Sequence, residues 1–330
     1  MSILFVGNED LDFKNGGLTA NSLSANPYTR SNILQNSGTS ALVYFMSDFS
    51  PYAPMTEMWI HFYGGMKTTS GSDSENWWVA VDNPTAGILC GLRAFPNSGM
   101  ARFAWNDGSG AMVLSDPLFA VGTLSTYAEY DIHIKITGTT LYMALYGDGA
   151  LIAEKTATLS TTYSFTGWRL CSAGNFSGSW SFLYNQVVVA TTPTIGFKVY
   201  TRQPTGNGNY TAFNGDYTAV DEITMDGEVV STAVAARESF TRDAISGGIT
   251  SALEVKAVAV SAYVRQGATD LPNVQFFLRD GGVDYDSESF LLSFGYTGKK
   301  KIWELDPATG LKFTNTKAAS ALEFGVRALA

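Results

Sequence analysis

At 330 residues the chain is long enough for two domains of ordinary size. Lys and Arg number 21 against 30 Asp and Glu, and the net charge of −9 excludes the basic stripe of a nucleic-acid binder. Apolar residues make up 45%, yet no run reaches the roughly 18 residues of a spanning helix, and no signal peptide opens the chain. A soluble protein made in a cytoplasm is therefore expected.

Strand patterns dominate from Met55 onward. Residues 55–66 alternate strictly, with Met58, Ile60 and Phe62 on one face and Glu57, Trp59, His61 and Tyr63 on the other. Asn76–Val81, Gly87–Phe95 and Ala101–Trp105 read as further strands, and Cys90 inside the second reads as a buried free thiol. Tyr130–Thr137 alternates again, with Ile132, Ile134 and Ile136 inward and Asp131, His133 and Lys135 outward. Thr140–Gly147, Trp168–Gly174 and Asn185–Thr191 continue the series. Cys171 reads like Cys90, with a disulfide between them left open. Asp-Gly pairs at 107–108, 148–149, 226–227 and 280–281 supply tight turns, and those at 148–149 and 226–227 have the form of short hairpins. Thr191-Thr192-Pro193-Thr194 has no core face, which predicts a boundary between a domain at 1–191 and one at 194–330. Ser231–Ile245 reads either as the best helix in the chain or as a strand followed by a loop. Lys299–Lys301 reads as a solvated hairpin turn. Strands recurring every roughly 8–12 residues without alternating helices predict an all-β protein, two β-sandwich or jelly-roll-like domains.

Little of this carries catalytic chemistry. The 57–63 strand has one carboxylate, whereas retaining glycoside hydrolysis needs two about 5–5.5 Å apart. Of Asp73, Glu75 and Asp82, the first two fall in a Ser- and Gly-rich loop. His61 and His133 lie on different strands and read as solvent-facing. Asp216, Asp221 and Glu222 read as an acidic loop, with calcium ligation the sharper alternative. No cofactor or metal is expected, and the chain is expected to be non-enzymatic. The polar face of Glu57, Trp59, His61 and Tyr63, joined by Trp78 and Asp82, suits a glycan, because CH faces stack on aromatic rings while polar groups read hydroxyls. The plainer alternative is that this face packs against the other sheet or a neighbouring subunit.

Two resemblances add to this. Residues 130–159 and 183–190 resemble the strand–turn–strand and closing strand of the concanavalin A-like lectin/glucanase fold, which implies a lectin-like first domain. The second half resembles a domain common in tailed-phage virion proteins. The resemblance rests on Pro204, Gly206, Gly208, Tyr210, Thr211 and Val220-Asp221-Glu222. It continues through Trp303, Asp306-Pro307, Thr309-Gly310, Thr314 and Phe324-Gly325-Val326, with Phe313 where that family often has Trp. It implies a structural subunit (fibre, spike or decoration protein) of a bacteriophage particle assembled in the host cytoplasm. The partners implied are other virion proteins, further copies of the chain and host surface polysaccharide. A polysaccharide depolymerase and a free-standing lectin are the alternatives. In either case 306–310 is a Pro-containing turn and 321–329 a last strand, with Leu322 and Phe324 on one face and Glu323 and Gly325 on the other.

Overall fold

The computed structural model describes residues 2–7, 19–22, 32–37, 45–48, 54–71, 75–83, 87–95, 98–109, 111–116, 118–121, 128–172, 178–221, 227–231, 233–245, 248–267, 271–320 and 322–330. Of 19–22, 32–37, 45–48, 66–71, 171–172 and 178–183 it describes the backbone alone. The chain is all-β, as its alternation predicts, and divides into two compact units, Met1–Tyr200 and Thr201–Ala330.

The first unit is a sandwich of two antiparallel sheets. In the eight-stranded sheet the order is Ala150–Thr158, Thr140–Gly147, Ala128–Thr137, Glu57–Gly71, Gly178–Ala190, Asn32–Ser37 and Thr19–Ser22, with Ile3–Gly7 also on Gly178–Ala190. The seven-stranded sheet runs Phe119–Ala120, Met100–Asn106, Gly87–Phe95, Asn76–Asn83, Gly167–Ser172 and Phe45–Asp48, with Met112–Leu114 on Met100–Asn106. Alternation turns Met58, Ile60, Phe62, Ile132, Ile134 and Ile136 inward against Val79, Val81, Leu92, Trp168 and Leu170 of the facing sheet. Each such side chain contributes about 1.5–3 kcal/mol when fully buried. Phe62 meets Trp78 edge-on at 5.3 Å, and the phenol of Tyr184 donates to the Trp78 carbonyl at 2.6 Å. Cys90 is buried here as a free thiol, and burial pushes its pKa up. The side chain of Cys171 lies outside the described residues.

The expected hairpin at Asp148-Gly149 is present: both residues have positive φ, 48° and 81°, between strands Thr140–Gly147 and Ala150–Thr158. Asp226 of the other expected hairpin lies outside the described residues. Of the segment read as a domain boundary, Thr194 is fully buried in the first unit.

In the second unit the sheet order is Gly206–Thr211, Arg237–Thr241, Glu323–Leu329, Asn273–Asp280 and Val283–Asp286, with Phe290–Leu291 also on Asn273–Asp280. A two-stranded sheet, Val258–Val264 with Thr297–Trp303, faces it. Phe276, Leu278, Trp303 and Phe313 make the core, packed by Val258, Val260, Phe324 and Val326. Of the two readings of Ser231–Ile245, the strand is the one present, at Arg237–Thr241. The turn expected at Lys299–Lys301 is corrected to strand, because Trp303 and the residues before it pair along Val258–Val264. The final strand lies mid-sheet, between Arg237–Thr241 and Asn273–Asp280. Its Gly325 has no substitute, since a Cβ there would stand 2.1 Å from the Glu238 carbonyl oxygen. The 306–310 segment is the expected turn: the Asp306 carbonyl accepts from the amides of Thr309 and Gly310. The Asp306 carboxylate accepts from the Ala308 amide and from Lys317 Nζ.

Candidate functional site

The outward face of the eight-stranded sheet gathers a group of polar and aromatic residues. Register sets Trp59 opposite His133 and Glu57 opposite Lys135; the next hairpin sets Lys135 opposite Tyr142 and His133 opposite Ala144, whose other partner is Glu154. The result is a strip crossing four strands. The His133 ring stacks on Trp59 at 4.1 Å and 10°, Tyr142 meets His133 edge-on at 5.4 Å, and Tyr146 lies 5.7 Å from Trp59. Around the rings, His133 Nε2 is 2.9 Å from Glu57 Oε1, Lys135 Nζ is 2.9 Å from Glu57 Oε2, and the Tyr142 hydroxyl donates to Glu154 Oε2 at 2.8 Å.

Burial lowers the His133 pKa, and Glu57 reverses part of that shift. Burial would raise the Glu57 pKa, but the bonds to Lys135 and His133 outweigh it and the net shift is downward. The Tyr142 phenol is pushed up by burial and by Glu154. The strip thus favours an ionised Glu57 carboxylate, a neutral His133 imidazole and a neutral Tyr142 phenol at pH 7.

Beyond Trp59 the same face is covered. His61 Nδ1 lies 2.9 Å from Asp131 Oδ1, and Thr194 Oγ1 donates to that oxygen at 2.6 Å. All three residues are buried. The Val199 amide donates to Gln186 Oε1 at 2.9 Å, and Lys198 pairs with Glu129, so 194–199 lies across the end of the sheet. These residues do not form a nucleophile–base pair: the hydroxyl bonds the carboxylate, and His61 Nε2 has no partner among the described residues.

The six residues expected to bind glycan do not form one exposed site. Glu57, Trp59, His61 and Tyr63 share a face, as alternation requires. Trp59 is only 5% exposed and His61 fully buried, because cross-strand neighbours and the 194–199 segment cover them. Tyr63 is half-buried. Trp78 belongs to the core between the sheets: the Asn76–Asn83 strand is irregular between Trp77 and Val79, and Trp78 packs on Phe62 and Tyr130. Asp82 sits on the other sheet, where Arg169 Nε reaches both its oxygens at 2.7 Å. His133 is corrected from solvent-facing to mostly buried, its side chain 12% exposed. Lys135, Tyr142, Tyr146 and Glu154 were not singled out by the sequence reading. Their signal was the two-residue turn Gly138-Thr139, which pairs Thr137 with Thr140 and so fixes which outward residues meet.

Among the described residues no group of three or more His, Cys, Asp or Glu is placed to hold a metal ion. Asp216 caps the short turn Tyr217–Ala219, accepting from the Thr218 amide and hydroxyl, and Glu222 lies outside the described residues.

No protein-family model and no curated protein matches the chain. Among solved structures it is similar to the cellulose induced protein Cip1, at 13% identity over 57% of this chain and 92% of that one, TM-score 0.40. It is similar to an alginate lyase from Klebsiella pneumoniae, at 9% identity over 55% and 87%, TM-score 0.38. It is also similar to the PL7 alginate lyase AlyA1 from Zobellia galactanivorans, at 9% over 53% and 85%, TM-score 0.36. Because enzymes stand among these matches, the expectation of a non-enzymatic chain is withdrawn. Likenesses this distant carry no argument for any particular activity.

Proposed function

We propose that the chain recognises host surface polysaccharide through the strip on its eight-stranded sheet, as a subunit of a tailed-phage particle. One observation carries the recognition: Tyr142 and Tyr146, partly exposed and backed by the mostly buried Trp59–His133 stack, adjoin Glu57, Lys135 and Glu154 on one face. Aromatic rings take the CH faces of sugars, and fixed polar groups read their hydroxyls. The virion part, with its assembly into copies of itself and other particle proteins, is supported by the sequence motifs of the second unit. Cleavage of the bound polysaccharide is a second reading, favoured by the His133 imidazole, whose Nε2 lies 2.9 Å from the Glu57 carboxylate with the Tyr142 ring edge-on beside it. The test is to pass purified protein over immobilised host capsular polysaccharide and lipopolysaccharide and to assay the same glycans for new chain ends. Retention is expected, and new ends would establish cleavage. Failure to be retained, with no new ends, would remove both readings.

A further inference from the structure

The seven-stranded sheet carries a separate constellation on its outward side. Leu92, Ala94, Ala101 and Phe103 belong to the core between the sheets, so alternation turns Arg93 and Arg102 the other way. The register sets Trp77 directly opposite Arg93, and Arg93 directly opposite Arg102. Like charges in directly opposed positions weaken a sheet, and one carboxylate, Glu75, stands between them. Arg102 takes both its oxygens, at 2.7 and 2.6 Å, and Asp116 adds attraction at longer range. Among the described residues Arg93 keeps an ion pair with Glu75 Oε2 at 3.7 Å and donates to the Glu75 carbonyl at 3.3 Å. Its Nε is buried and has no partner among the described residues, while the side chain as a whole is 26% exposed. The guanidinium lies over the Trp77 ring, 5.6 Å from the centroid.

We infer that Arg93 and Trp77 form a binding site for a carboxylate-bearing sugar, a uronate residue of an acidic polysaccharide. A guanidinium fork matches the two oxygens of a carboxylate, and the indole beside it offers an apolar plane to the pyranose ring. An incoming carboxylate supplies Arg93 with a close partner, since its ion pair with Glu75, which is bidentate on Arg102, stands at 3.7 Å. The site stands on the other sheet from the aromatic strip and does not depend on it.

Affinity electrophoresis of the full chain tests this, in gels containing polygalacturonate, its methyl ester or uncharged dextran. Retardation is expected in polygalacturonate alone, weakening as salt is added. Arg93→Gln should weaken it about tenfold, the usual worth of a hydrogen-bonded charge pair. Arg93→Lys keeps the charge and most of the packing, loses the fork, and should weaken it by less; it decides the matter if Arg93→Gln does not fold. Thermal melts establish which variants are folded. Three results overturn the inference: no retardation by the acid polymer, equal retardation by acid and ester, or wild-type affinity in a folded Arg93 variant.

Discussion

Burial draws the His133 imidazole below its ordinary pKa while Glu57, 2.9 Å away, draws it back up. With only two histidines in the chain, NMR titration can follow it directly. Its midpoint should lie below 6.5, and Glu57→Gln should move it lower still, because the charge favouring imidazolium is gone. The fold favours the neutral ring, so this contribution to stability is present above pH 6.5 and lost as pH falls through the folded value. A midpoint above 6.5, or a rise in Glu57→Gln, contradicts the geometry. Trp59 supports this ring from below, 5% exposed and stacked on it. Trp59→Ala should cost about 3–5 kcal/mol in denaturant unfolding; a loss under about 0.5 kcal/mol, typical of open surface, would mean the indole is exposed. Alternation was enough to put Glu57, Trp59, His61 and Tyr63 on one face. It could not reveal their burial, which depends on what crosses that face. Nor does period-two reasoning foresee an irregularity like the one between Trp77 and Val79 that accompanies Trp78's place in the core.

Two elements hold residues that composition misjudges. Thr191-Thr192-Pro193-Thr194 reads as a boundary without a core face, yet the Thr194 hydroxyl serves the buried Asp131 carboxylate, a task without a hydrophobic signature. Thr194→Val should cost about 1–3 kcal/mol by removing that donor, and limited proteolysis should then cut within 191–200 faster than in the wild type. Unchanged cleavage there would show that the segment is not held by this bond. The final strand was legible as a strand, from the turn before it and the alternation within it. Its place in mid-sheet was not, since strand order depends on pairings far apart in sequence. Gly325→Ala should destabilise the second unit by about 1–3 kcal/mol or more through the clash with the Glu238 carbonyl. A melting curve like that of the wild type would contradict the register.

Across the whole molecule, short alternating strands and Asp-Gly turns were sufficient to read an all-β chain. The motif residues that suggested a virion domain turn out to do architectural work. Trp303 fills the core, Asp306 and Gly310 form the turn, Thr314 caps helix Asn315–Ala319, and Gly325 lets two strands close. They therefore speak for a fold, and activity must be argued from the strip. That strip was not legible, because its members come from four strands and meet only through register. The most direct measurement is the affinity of wild type, Tyr142→Ala and Tyr146→Ala for host surface polysaccharide, with melting curves run alongside. Loss of a stacking ring should weaken binding by about 0.5–1.5 kcal/mol beyond the area lost, roughly two- to tenfold, with little change in stability. Wild-type affinity in both folded variants would contradict recognition through this face.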